Sequence, residues 1–151
     1  METALQYDRL QFAVTATFHY LFPQLTMGLA LLLVYLRTRD LLSEGDHYHQ
    51  VSRFWTGIFA LSFAFGVVTG IPLEFQFGTN WANFSNYAGG IVGQTLAMEG
   101  VFAFFLESSF LGLLLFGESR VSRRTLWLAT VVLWLGSWLS GYFILATNAW
   151  M

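Results

Sequence analysis

The sequence predicts an all-α membrane protein, a polytopic bundle of four transmembrane helices, and three observations carry that prediction. Hydrophobic residues make up 56% of the 151 positions and charged residues 11%, against about a quarter charged in an ordinary soluble domain. Aromatic residues reach 19%, with 16 Phe and 6 Trp, more than a globular core of this size can bury, whereas lipid-facing helix surfaces absorb them. The apolar residues also fall into four runs, each near the ~20 residues needed to cross a hydrocarbon core. Backbone groups in lipid must be bonded internally, and continuous runs of this length fit helices rather than the alternating strands of a barrel.

The first helix is predicted over about 10–36. It follows METALQYDRL, with Glu2 and Asp8, and its apolar run is too long for a signal-peptide core, so the span is expected to be retained. The loop Arg37 to Arg53 contains DLLSEGDHYHQ, where His47 and His49 read as solvated loop residues. A second helix covers about 54–75 and brings Glu74 to the interface, where a carboxylate is tolerated. The connection Gln76 to Gly93, QFGTNWANFSNYAGGIVG, has no charged residue and mixes aromatic, Asn and Ser side chains. That composition suits the headgroup layer, and the loop is expected to lie folded on the membrane. Helix three spans about 95–117 and helix four about 125–148, with a tight arginine-bearing loop between them. No internal repeat, low-complexity tract or linker divides the chain, so residues 1–151 read as a single transmembrane domain.

Arg37, Arg39 and Arg53 lie in one loop and Arg120, Arg123 and Arg124 in another, while Arg9 alone lies on the opposite side. The positive-inside rule makes those two loops cytoplasmic and the N-terminus external. A formal charge of −2, without a basic patch, leaves nothing for a nucleic acid to bind. The absence of cysteine excludes disulfides, thiolate metal sites and iron–sulfur clusters but leaves histidine-ligated haem open.

Ionisable residues inside a span are costly, ~2.5 to 3.5 kcal/mol for Asp, Lys or Arg at a helix centre even on lenient scales, and so call for a role. Three are predicted within spans: His19, Glu99 and Glu107. His19 lies nine residues past Leu10, ~14 Å along the first helix. Four residues further, Pro23 has no N–H for the His19 carbonyl, so a local kink is expected. A lone histidine there is compatible with a hydrogen bond to a neighbouring helix or with a metal or haem ligand. Glu99 and Glu107 are eight residues apart, which on a straight α-helix leaves them ~80° apart around the axis and ~12 Å along it. The pair either hydrogen-bonds as neutral acids or forms a proton relay, with Ser108, Ser109 and Ser140 as further hydroxyls on the path. The small-residue pairs Gly66 with Gly70, Gly136 with Ser140 and Ser137 with Gly141 read as helix-packing faces.

The stretch RLQFAVTATFHYLFPQLTMGLA from Arg9 to Ala30 resembles the opening helix of cytochrome bd-type oxidase subunit I, as do LEFQFGTNW from Leu73, MEGVFAFFLESSFLGLLLFG from Met98 and the closing ATNAWM. Together these motifs run along the whole chain. The resemblance implies that His19 is an axial ligand of one of the two high-spin haems, b595 or d, that Glu99 lies beside that pair, and that Glu107 feeds it protons from the cytoplasm. It further implies quinol and oxygen as substrates, oxidase subunit II and small single-helix subunits as partners, and a bacterial or archaeal plasma membrane as location. Family subunits continue for about five more helices, which carry the ligands of haem b558. This chain is therefore expected to be the front portion of a larger family domain, inactive by itself. Two readings from other classes are a non-enzymatic helix scaffold and a small proton- or cation-conducting protein; the second would be expected to show an inverted repeat, and none is visible.

Overall fold

A computed structural model describes residues 2–151, and among them the regular structure is all helix, with no strand. Helix α1 covers Glu2–Leu42, α2 His47–Thr79, α3 Ala82–Gly100, α4 Glu107–Phe116 and α5 Arg123–Trp150. Between α3 and α4 the chain does not turn but widens into a π-helical segment, Val101–Leu106, so that Ala82–Phe116 forms one continuous rod. Four rods are long and apolar enough to cross a membrane, which bears out the predicted class and number of spans.

The rods are longer than the hydropathy pattern indicates. Helix α1 has 41 residues, ~60 Å at 1.5 Å per residue, against ~40–45 Å for a bilayer with its headgroups. Its ends extend past the apolar run because a helix, once nucleated, continues at little cost through Glu2–Asp8 and Arg37–Leu42. The predicted external loop is corrected most: apart from a break at Asn80–Trp81, residues 76–93 are helical. Their polar side chains tie the corner to α1 instead of lying among headgroups. Gln76, only 3% exposed, donates to Thr15 Oγ1 at 3.1 Å, and Asn80 donates to Gln11 Oε1 at 2.9 Å. Phe12 meets both Phe77 and Trp81 edge-on.

The main apolar cluster lies in the half of the bundle that carries the arginine loops. Leu29, Ala30 and Leu33 of α1, Phe59 of α2, Leu111 and Leu114 of α4, and Leu126, Ala129 and Leu133 of α5 pack into one cluster. Small residues permit the close approaches, as the sequence pattern indicates. Gly66 receives Phe22, Gly136 lies against Leu106, and Gly141 against the Met27 thioether.

An ion-pair cluster closes this half, and it corrects two expectations. Arg37 and Asp40, assigned by sequence to a loop, are on α1 and are 1% and 2% exposed. His49, expected in solvent, is on α2 with Nδ1 3.1 Å from Asp40 and Nε2 3.3 Å from Glu118. Arg37 reaches Glu118 at 3.0 Å, and Arg123 reaches Asp40 at 3.2 Å and Asp46 at 2.6 Å. Burial is affordable because each carboxylate has cationic partners. His47 is exposed, as the sequence indicates.

Candidate functional site

Half-buried His19 lies where α1 crosses α2. Its Nδ1 is 3.0 Å from Thr69 Oγ1, and its ring lies against Gly70, where a Cβ would come within 2.9 Å of Cε1. Gly66, one turn before Gly70, takes Phe22 from one turn after His19, and Phe22 stacks on Phe65 with ring centroids 5.6 Å apart. Helix α1 runs unbroken through Pro23. One face of α2, bearing Phe65, Gly66, Thr69 and Gly70, thus fixes the imidazole through Nδ1 and the ring face.

Helix three lies antiparallel to α5. Thr147 donates to Thr95 at 2.6 Å, Phe102 stacks on Phe143 at 5.8 Å, and Leu106 fills the gap at Gly136. Glu99 lies one helical turn from Thr95 and is half-buried. It lies 17 residues into a rod that begins at Ala82. The π segment falls between the two glutamates. One residue inserted by such a bulge turns everything beyond it by ~100° relative to a straight helix. On ideal geometry that would reduce the ~80° separation expected from sequence to ~20°.

Glu107 is 5% exposed and faces Ser137 of α5. The serine hydroxyl does not close a hydrogen bond with it and, like Trp134 Nε1 one turn away, is buried without a protein partner. Buried polar atoms left in this state are places where ordered water belongs. Ser108 and Ser109 both donate to the Phe105 carbonyl, at 3.3 and 2.6 Å, and so point back along their own helix. Ser140 is half-buried on α5. The hydroxyl that meets Glu107 is Ser137, which sequence reasoning had placed among packing residues.

Among the described residues no group of three or more His, Asp or Glu side chains could hold a bare metal ion. A single histidine would suffice for a haem, whose macrocycle brings its own nitrogen donors. The donor chemistry at His19, an imidazole held through Nδ1 and seated on a glycine, fits that group.

The described residues thus form a four-rod helical bundle long and apolar enough to cross a membrane, with one anchored histidine and two glutamates on the rod Ala82–Phe116. Comparison with known proteins narrows this. Residues 7–151 match the family of cytochrome bd terminal oxidase subunit I, and the chain belongs to that family. It is 46% identical over its whole length to the cytochrome bd-II ubiquinol oxidase subunit 1 of Escherichia coli K12, covering 29% of that protein. It is 39% identical over 95% of its length to the cytochrome bd ubiquinol oxidase subunit 1 of Bacillus subtilis 168, covering 31%. The solved bd oxidase of Geobacillus thermodenitrificans superposes with a TM-score of 0.89 at 31% identity, over 97% of this chain and 34% of that one. The chain thus spans about a third of the length of the relatives it matches, their N-terminal portion, and the family implies haem cofactors.

Proposed function

We propose that this chain is the N-terminal, single-domain transmembrane portion of a quinol:oxygen oxidoreductase subunit, in which His19 is the axial ligand of a high-spin haem, b595 or d. The observation that carries this reading is the presentation of His19, with Nδ1 at Thr69 and the ring seated on Gly70. Bound there, the haem iron would supply oxygen binding and reduction. The chain's own residues do the rest. Thr69, Gly70 and Phe22 hold the imidazole still. Glu99 and Glu107 hold and release protons along helix three. The unpartnered Ser137 and Trp134 groups would anchor the water that carries protons to Glu107, with Ser108 and Ser140 as further hydroxyls on the path.

The arginine-rich end of the bundle faces the cytoplasm and the N-terminus the outside of a bacterial or archaeal plasma membrane, an orientation supported by six arginines against one. Protons drawn from the arginine side to a haem near the opposite side would charge the membrane at each turnover. Oxidase subunit II and small single-helix subunits are the partners, quinol and oxygen are the substrates, and this segment supplies no ligand to haem b558.

The test is His19→Ala in the complete oxidase, read as haem content and electronic spectrum of the purified complex. Loss of one high-spin haem with the assembled polypeptides retained is expected; an unaltered spectrum would remove His19 as ligand.

A further inference from the structure

We propose that Thr69 is a positioning residue for this haem ligand, fixing the His19 tautomer by accepting a hydrogen bond from Nδ1–H, while Gly70 sets the plane of the ring. The proposal rests on the reading of His19 as a ligand and goes further by assigning the residues that prepare it.

The argument begins with one proton. The Thr69 hydroxyl lies 2.8 Å from the Phe65 carbonyl oxygen and 3.1 Å from that of Gly66, and also 3.0 Å from His19 Nδ1. It has one hydrogen to donate and two lone pairs to accept with. If that hydrogen pointed at the histidine, the hydroxyl oxygen would face two carbonyl oxygens with no hydrogen between them, a repulsive arrangement at 2.8 Å. Donation to the helix carbonyls is a regular habit of threonine in helices and leaves the lone pairs facing His19. The Nδ1 atom must then carry the hydrogen, and in a neutral imidazole Nε2 carries the lone pair. Iron binds an imidazole through that lone pair.

The backbone of α2 supplies the second half. A Cβ at Gly70 would lie 2.9 Å from Cε1, 3.4 Å from Nδ1 and 3.6 Å from Nε2, so any larger residue pushes the ring off its seat and lengthens the bond to Thr69. Phe22, stacked on Phe65 and seated on Gly66, blocks sliding of α1 along α2. A ligand held this way loses little rotational freedom on binding. The hydrogen bond also makes Nε2 a stronger donor, as partners on the far nitrogen of metal-bound histidines generally do.

The experiment uses the complete oxidase carrying Thr69→Val, Thr69→Ser, Gly70→Ala or His19→Ala. Haem content, the iron–histidine stretching band of the ferrous five-coordinate haem in resonance Raman spectra, and the midpoint potential of that haem are measured. Thr69→Val keeps the shape and removes the acceptor, so the stretching band is expected to move to lower wavenumber and the potential to rise. Gly70→Ala is expected to move both in the same direction, and Thr69→Ser to restore wild-type values. A purely structural role for Thr69 would lower yield without moving the band. The proposal is overturned if the band and potential are unmoved in both Thr69→Val and Gly70→Ala, or if Thr69→Ser behaves as Thr69→Val does. Should Thr69→Val fail to accumulate, the Gly70→Ala and Thr69→Ser spectra decide by the same criteria. A band that persists in His19→Ala removes the ligand reading itself; a band lost in His19→Ala yet unmoved by the α2 variants removes only the role of Thr69.

Discussion

Removing the Asp40 carboxylate should be among the most destabilising single changes outside the apolar core. Its side chain is 1% exposed and meets His49 at 3.1 Å, Arg123 at 3.2 Å and, more loosely, Arg37 at 3.8 Å. Arg37 is equally buried, and its Nε and Nη1 atoms already lack hydrogen-bond partners. In Asp40→Ala, Glu118 alone would face Arg37 and His49. Breaking a buried pair by removing one partner costs ~3–5 kcal/mol because the other charge stays behind. For a chain of this size that is a fall in apparent Tm on the order of 10 °C, to be read by thermal unfolding of the detergent-solubilised protein. Arg53→Ala is the control, since Arg53 touches the same Glu118 at 3.3 Å but is 76% exposed, where solvent and salt screen the pair. That variant should unfold with the wild type. If Asp40→Ala lowers Tm no more than Arg53→Ala does, the cluster contributes nothing to stability and the reasoning fails.

Two further outcomes follow from the helix three to α5 contact, beside the His19 and Thr69 tests already set out. In the complete oxidase, Glu107→Gln keeps the size of a 5% exposed side chain but cannot pass a proton, so oxygen uptake should fall at least tenfold, about 1.4 kcal/mol or more in barrier, with haem content unchanged; uptake at the wild-type rate would remove Glu107 from the path. Gly136→Val would place a branched Cβ 2.5 Å from the Leu106 side chain and 3.8 Å from the Phe102 carbonyl. The overpacking should cost ~1–3 kcal/mol, seen as lower thermal stability, and an unchanged Tm would mean that the π segment yields freely.

The spans were legible because runs such as Phe54 to Phe75 carry their solvent preference in composition. Their ends were not, since residues like Arg37, Asp40 and Gln76 are polar in sequence yet become buried once neighbouring helices supply partners. The same holds for His49: nothing in SEGDHYHQ shows that Glu118, 69 positions away, lies on the far side of its ring. At the candidate site His19, Glu99 and Glu107 stood out by their cost in lipid, but Ser137 did not, because a serine on an apolar helix looks like a packing residue until its neighbour is known. The π segment was the least visible feature. VFAFFL has the composition of any buried helix, and one extra residue per turn leaves no compositional trace, although it decides the angle between the two glutamates.

The uneven packing bears on how firmly each end is held. Leucines, Phe59 and the Arg37–Asp40–Glu118 ion pairs bind all four rods together at one end, and that closure needs nothing from outside the chain. Around His19 the rods meet through fewer buried side chains, so the two ends of the bundle are unequally held. Such a bundle works like a clothes peg, sprung at one end and loose at the other.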